Sequence, residues 1–474
     1  MGRRVGWATV VGVVFCLVTA VLRAPVALAA GSADAPSYAF ADDARGARAA
    51  SGTNGAVRLE PGETYRSSLD GSGKAYYRLE LDAEASVYVS VTAVPRRDAL
   101  LAAGDGISVS VQSAAGANCS FDSVTVGASG SARPITAWGA REILVGKGLC
   151  QEAGTYYAVV ERAATAGDDG TPWDLELAPV SEPFVRQDGG ATRQPEVWNS
   201  ATPAPVAGEP VRRPGGAGFA RAAAVRQGVW RDEITPGQTL FYKVPVDWGQ
   251  QVYATADIGA AEGGADGTSG TDGSAGVGGA GGVSAFVVPA LDLTLYNPVR
   301  AEVATTSIGY GGTQKSTSLA PLPPVAYTNR YAPTDPEKSL RFAGAHFLVV
   351  HLSAEVAERF GDGPYGLVLR VRVTGTARPG PGYAGASQPR GLFDVGAPDA
   401  IGSGGEGAAA GGGTAGDGAS DGGDDLAMKA VAVGGIGTGS ALLLVLGVWT
   451  VTARRRAASA RGAQIRANAQ NPTA

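Results

Sequence analysis

Histidine, methionine and lysine are scarce in this chain: its 474 residues hold two His, two Met and six Lys. Histidine is the side chain best suited to carry protons and bind metal near neutral pH, so its scarcity removes most common catalytic and metal-site designs. The two present, His346 and His351, lie five apart in one apolar segment. On a strand that offset sends them to opposite faces, where they share no metal. No Gly-x-Ser-x-Gly elbow, HExxH or Walker loop occurs. Gly276–Gly281 satisfies GxGxxG, but in low-complexity sequence with no helix after it. The acidic pairs Asp168-Asp169 and Asp424-Asp425 lack the spaced carboxylates of a calcium loop. The expectation is a chain without catalytic residues, cofactor or metal. A net charge of −5, with no basic face, argues against a nucleic-acid partner.

Cysteine is also rare, and two of the three have one economical use. Cys16 falls in an amino-terminal leader: Arg3 and Arg4, an apolar stretch from Val5 to Leu22, then Ala27-Leu28-Ala29-Ala30. This is the order of a secretory signal peptide, residues 1–30, cleaved after Ala29 or Ala30. Phe15 before Cys16 stands where lipoprotein processing needs a small residue. Cys119 and Cys150 then remain, and in an exported chain they read as one disulfide.

A long apolar run occurs at 430–453, followed by Arg454, Arg455 and Arg456. At ~1.5 Å per residue it makes a helix of about 36 Å, enough for a hydrocarbon core of roughly 30 Å. Asp421, Asp424 and Asp425 precede it, and the tail 454–474 carries Arg and no acid. The charge asymmetry predicts a single pass through the cell membrane, an extracellular amino-terminal ectodomain and a cytoplasmic basic tail. The wealth of Gly and the excess of Arg over Lys suggest a G+C-rich genome of the actinobacterial kind.

Between leader and span no segment sustains a helical period. Short alternating runs bounded by Gly, Pro or Asp occur in two blocks that repeat each other. Pro61-Gly62-Glu63-Thr64, Tyr76-Tyr77-Arg78-Leu79 and Val87–Val91 match Pro236-Gly237-Gln238-Thr239, Phe241-Tyr242-Lys243-Val244 and Val252–Ala256. Ile107–Val111 matches Leu291–Leu295, Gly154–Val160 matches Gly344–Val350, and Trp173–Leu177 matches Tyr365–Leu369. This pattern predicts an all-β protein of two tandem antiparallel β-sandwiches. The boundaries read as 31–55 disordered, 56–182 first sandwich, 183–227 Pro/Gly-rich linker and 228–374 second sandwich with a Gly-rich loop at 259–282. A disordered Gly-rich acidic stalk follows at 375–429, then the transmembrane helix 430–453 and the tail 454–474. Pro321-Leu322-Pro323-Pro324 reads as an extended connection.

The order of Pro-Gly, Tyr-x-hydrophobic and Val-Tyr-Val, closing on Gly-Thr-Tyr-Tyr-x-Val-Val, resembles the bacterial pre-peptidase C-terminal domain, a β-sandwich appended to secreted proteins. In the second block, Gly228-Val229-Trp230-Arg231-Asp232 and Phe241 to Gln250 resemble the membrane-proximal region of actinobacterial surface proteins that carry a von Willebrand factor A domain. The A domain is absent: Asp70-Gly71-Ser72-Gly73-Lys74 lacks the second Ser of its metal motif.

Among the aromatics Trp230, Phe241, Tyr242 and Trp248, the recognition candidates are Trp230 and Trp248, with core packing as the competing reading. The function expected is a non-catalytic single-pass surface protein that presents two binding sandwiches to an envelope polymer or partner protein. The alternative is an accessory or receptor subunit of a membrane export or sensing complex, with a membrane protein as partner.

Overall fold

In the computed structural model residues 38–396 are described, apart from 72, 98, 100, 129, 145, 147, 164–169, 187–195 and 262–285. The leader, most of the Gly-rich loop, the chain beyond 396, the span 430–453 and Arg454–Arg456 lie outside the described residues. Among those described, no helix is long and apolar enough to cross a membrane.

The chain is mostly strand. The first half comprises β1 Arg45–Gly46, β2 Val57–Arg58, β3 Tyr65–Leu69, β4 Lys74–Leu81, β5 Ser86–Val94, β6 Gly106–Ser113, β7 Asn118–Thr125, β8 Ile135–Arg141, β9 Gly154–Ala163 and β10 Trp173–Glu182. The second comprises β11 Val211–Arg212, β12 Ala223–Ala224, β13 Gly228–Ile234, β14 Thr239–Val246, β15 Gln251–Ile258, β16 Val287–Tyr296, β17 Glu302–Tyr310, β18 Lys315–Ser318, β19 Gly344–Leu352 and β20 Tyr365–Thr374.

Each half is a sandwich of two five-stranded sheets. The orders are β1-β3-β10-β5-β8 over β2-β4-β9-β6-β7, and β11-β13-β20-β15-β18 over β12-β14-β19-β16-β17. Adding ten to every strand of the first half generates the second. Register repeats as well: Tyr77 lies opposite Ala158 as Tyr242 lies opposite Leu348, and Val91 opposite Leu177 as Ala256 lies opposite Leu369. Inward residues of alternating strands fill the two cores. Tyr77, Val89, Val109, Val160 and Leu175 belong to the first; Tyr242, Ala254, Leu293, Val350 and Leu367 occupy the equivalent places in the second. The disulfide Cys119–Cys150 ties β7 to the segment before β9.

Three segments differ from the sequence reading. β1 lies in the stretch read as disordered, where Tyr38 and Ala47 are buried, and β11 and β12 lie in the stretch read as linker. All of β1, β2, β11 and β12 add parallel rungs to edges of otherwise antiparallel sheets. A two-residue strand has no alternation to detect, and its stability comes from the edge it joins. The proximal part of the stalk also folds back. Gln388 pairs with Ser181 and Tyr383 with Val185, and Phe393 is buried with its ring stacked on Phe342, centroids 5.0 Å apart.

The outer face of the β1-β3-β10-β5-β8 sheet packs on the outer face of the β12-β14-β19-β16-β17 sheet. Every residue of β5 is consequently buried. Two apolar clusters seal the junction. One joins Tyr38, Val94, Phe219, Phe241, Tyr296 and Val349; the other joins Tyr88, Ala140, Val180, Val299, Phe342 and Phe393. Ion pairs that cross it include Arg133–Asp292, Asp42–Arg221, Glu176–Arg300 at 2.6 Å, Glu182–Arg330 at 2.7 Å and Glu142–Arg341 at 2.6 Å. Glu182 also accepts from Tyr88 Oη at 2.9 Å and Tyr383 Oη at 2.8 Å, so this buried carboxylate is fully engaged, as burial of charge requires.

The register equivalence explains which faces meet. On the first sandwich's outward face, Lys74 and Glu161 form an exposed ion pair at 2.6 Å, and Glu80 pairs with Arg78 towards the other end of β4; the positions equivalent to Lys74, Glu161 and Glu80 in the second are the uncharged Thr239 and His351, both buried, and Pro245, half-buried. Conversely, Ala178 and Val180 of β10 correspond to Arg370 and Arg372 of β20, which remain outside the junction. Arg370 pairs with Asp257 at 3.1 Å, and both arginines donate to carbonyls of the 205–206 segment.

Candidate functional site

The turn Asp247-Trp248-Gly249-Gln250 between β14 and β15 organises the best-formed aromatic cleft. Asp247 closes the turn by accepting the Trp248 N–H on its carboxylate at 2.8 Å, while Gln250 Oε1 accepts the Asp247 N–H at 2.9 Å. The turn then clamps its neighbours through the backbone. Gly249 N–H donates to Val325 O at 2.7 Å, Val325 N–H to Gln250 O at 2.8 Å, and Arg378 N–H to Trp248 O at 2.9 Å. From β15, Gln251 Nε2 donates to Leu322 O at 2.9 Å and Asn199 O at 3.3 Å. The 196–199, 323–329 and 378–381 segments are thereby held around one turn. Gly249 is required: its φ is +79°, and a Cβ there would stand 2.8 Å from Thr376 O.

The cleft has a volume of about 300 Å³, at the lower end of the range for small-ligand sites. Trp198, Trp248 and Tyr327 supply its aromatic surface, and Pro323, Pro324, Pro379 and Pro381 stiffen its walls. Trp248 is 8% exposed and packs against the second core, so it serves both readings, core and cleft. Gly380 lies against its indole edge, where a Cβ would come within 2.9 Å of Nε1. Trp198 and Tyr327 are half-buried. Tyr327 is covered by the Arg330 guanidinium, 3.5 Å from the ring centroid, and burial pushes its phenol up to about 12. Asn329 fixes the loop by donating from Nδ2 to Pro324 O and Leu340 O, both at 2.8 Å. At the rim Arg378 and Glu196 pair at 3.2 Å, both well exposed. A wider groove of about 930 Å³ along Gly46–Ser51, Arg66–Asp70 and Gly73–Ala75 has no aromatic residue among its described lining.

Of the two sequence candidates, Trp248 lines this cleft and Trp230 does not. Trp230 lies half-buried on β13, with Nε1 donating to Arg226 O at 2.9 Å. Phe241 and Tyr242 point to opposite faces of β14: Phe241 enters the junction, while Tyr242 enters the core and donates to Asp232 at 2.7 Å. Sequence reasoning missed Trp198, Tyr327 and Arg378. A tryptophan inside a Pro/Gly-rich stretch was the available signal, because segments that stay unfolded are poor in aromatics.

The histidines are buried on opposite faces of β19. His346 takes the core position equivalent to Tyr156, its Nδ1 3.4 Å from Gly344 O. His351 crosses the junction, with Nδ1 2.9 Å from Thr239 Oγ1 and Nε2 3.0 Å from Ser131 Oγ. Burial lowers their pKa to about 4 and about 3, so both are neutral near pH 7. Among the described residues no group of three His, Cys, Asp or Glu is placed to hold a metal ion.

No protein-family model matches this sequence, and no curated protein does. Solved structures with some likeness include tripeptidyl peptidase 2, at 10% identity and TM-score 0.20 over 67% of this chain and 24% of that one. The match thus spans about a quarter of that peptidase's length. Another is the CBM22-1-CBM22-2 tandem domain of Paenibacillus barcinonensis Xyn10C, at 11% identity and TM-score 0.17 over 64% of this chain and 83% of that one. The M60 catalytic domain with CBM51-1 and CBM51-2 from Clostridium perfringens ZmpB follows at 10% and 0.16, over 65% and 34%. Likeness at these TM-scores carries no argument about function.

Proposed function

We propose that this chain is a non-catalytic, single-pass cell-surface protein that presents its two β-sandwiches to the cell envelope and binds an envelope polymer through the Trp198–Trp248–Tyr327 cleft. The observation that carries this reading is the cleft: three separate connecting segments converge on one clamped turn and expose aromatic rings with a rigid backbone behind them. Pre-organised aromatic surface is what recognition uses, because little entropy is lost on binding. The neutral, buried histidines support binding rather than acid–base chemistry. The membrane placement rests on the leader 1–30, the apolar run 430–453 and the basic Arg454–Arg456.

The test uses the full-length protein with a tag on its carboxyl-terminal tail. Protease added to intact cells is expected to remove the ectodomain and spare the tag. Purified protein is then mixed with isolated cell wall and, separately, with detergent-solubilised membrane proteins from the same cells. Retention on wall supports the reading. Recovery of one stoichiometric membrane protein with no retention on wall overturns it in favour of an accessory or receptor subunit of a membrane complex.

A further inference from the structure

We propose that the cleft takes a neutral, hydroxyl-rich saccharide, with a pyranose ring laid against Trp198 and Tyr327. This deepens the surface-binding reading and rests on it. The argument is one of donors and acceptors. Four prolines line the walls, at 323, 324, 379 and 381, and proline contributes a carbonyl without an N–H. The backbone N–H groups of Val325 and Gly249 are already committed inside the turn, as is that of Arg378. Pro323, Pro379 and Pro381 therefore each add a carbonyl acceptor without a donor of their own, and Asn199, Thr328 and Arg378 on the same walls carry side-chain donors. A matching ligand brings both donors and acceptors together with an apolar face for the aromatic rings. A pyranose does both, through its hydroxyl groups and its patch of ring C–H bonds.

A proline-rich peptide fits less well. It presents carbonyl acceptors and no N–H donor, so the proline carbonyls of the walls would stay unmatched. Charge favours neutrality: Arg378 and Glu196 at the rim are paired at 3.2 Å and cancel, leaving no net field to select an acidic or a cationic ligand.

The experiment titrates the full-length protein, held in a detergent without a sugar headgroup, with neutral gluco-, manno-, xylo- and arabino-oligosaccharides, with decaproline and with a lysine-rich peptide, following tryptophan emission. The expected result is a saturable change with at least one neutral oligosaccharide. Trp198→Ala should weaken that binding roughly ten-fold, the loss typical of an aromatic anchor, while raising the salt concentration should leave it within about two-fold because no charge on the ligand is read. Trp198 is half-buried and outside regular structure, so its variant is expected to stay folded; an unchanged melting curve checks this. Saturable binding of decaproline or the lysine-rich peptide in place of sugar overturns the proposal, as does sugar binding indifferent to both Trp198→Ala and Tyr327→Ala. If isolated wall retains the protein while no neutral oligosaccharide binds, the glycan assignment fails and the surface-binding reading survives. If neither binds, both fail.

Discussion

Replacing Arg330 by Met tests whether paired charge holds the two sandwiches together. The side chains of Arg330 and Glu182 are each 2% exposed, and they meet at 2.7 Å. Burial alone would push the Arg330 guanidinium below its ordinary pKa; the Glu182 carboxylate reverses that and holds it above. Removing the guanidinium leaves a buried carboxylate with the Tyr88 and Tyr383 phenols as donors and no counter-charge. Breaking a buried pair from one side costs about 3–5 kcal/mol. Lost stacking of the guanidinium on Tyr327 adds about 0.5–2 kcal/mol in principle, part of which Met recovers by packing. In the double variant Glu182→Gln/Arg330→Met no charge is stranded, so the loss should fall to about 1–2 kcal/mol. The assay is urea unfolding of the full chain followed by tryptophan emission, with stability from linear extrapolation. A loss under about 1 kcal/mol in the single variant, or a double variant as destabilised as the single, would refute the claim that the junction depends on this pair.

The histidines predict acid sensitivity: their folded pKa values lie below the ordinary 6.5, so the stability linked to their neutral forms is complete above about pH 6.5 and is lost as pH falls towards 4 and then 3. Each should account for roughly 2–3 kcal/mol between pH 7 and pH 4.5. Burial raises Asp122, Asp292 and Glu302 and acts in the opposite direction, so the pH-slope difference between His351→Gln and the unaltered protein isolates the histidine; equal slopes would rule its contribution out. Replacing Cys119 and Cys150 together by Ala should cost about 3–4 kcal/mol, and the midpoint of the double variant should no longer respond to reductant. Gly249→Ala places a methyl group 2.8 Å from Thr376 O at a φ of +79°. It should cost about 1–3 kcal/mol and shift tryptophan emission to the red as the 376–380 segment lifts from Trp248; unchanged emission would contradict the clamp.

Much of the fold was legible because its signals are local. In Leu291–Leu295 alternation alone identifies a strand with one core face, although Asp292 on the other face looks wet and instead pairs with Arg133 across the junction; the matched runs around Tyr77 and Tyr242 carry the duplication down to register. The invisible parts were those whose stability is borrowed. β1 and β11 are two-residue rungs on existing edges, and Tyr38, Tyr383 and Phe393 lie in stretches whose composition resembles linker. The all-buried β5 was ambiguous for another reason. Val87, Val89 and Val91 announce a core face, but Tyr88, Ser90 and Thr92 on its other side look wet until a second sheet covers them.

Sequence by itself determined the all-β class, the two matched sandwiches and the Cys119–Cys150 pairing, because strand alternation, turn residues and cysteine number need no knowledge of distant contacts. Tertiary structure alone decided that the first sandwich meets the second through two non-equivalent faces, with His351 where Glu161 stands and Arg370 where Ala178 stands. It alone decided, too, that Trp198, Trp248 and Tyr327 share one cleft. Both outcomes depend on which faces and loops the chain brings together, from 50 residues apart for Trp198 and Trp248 to 220 for Ser131 and His351, and no local pattern encodes those distances.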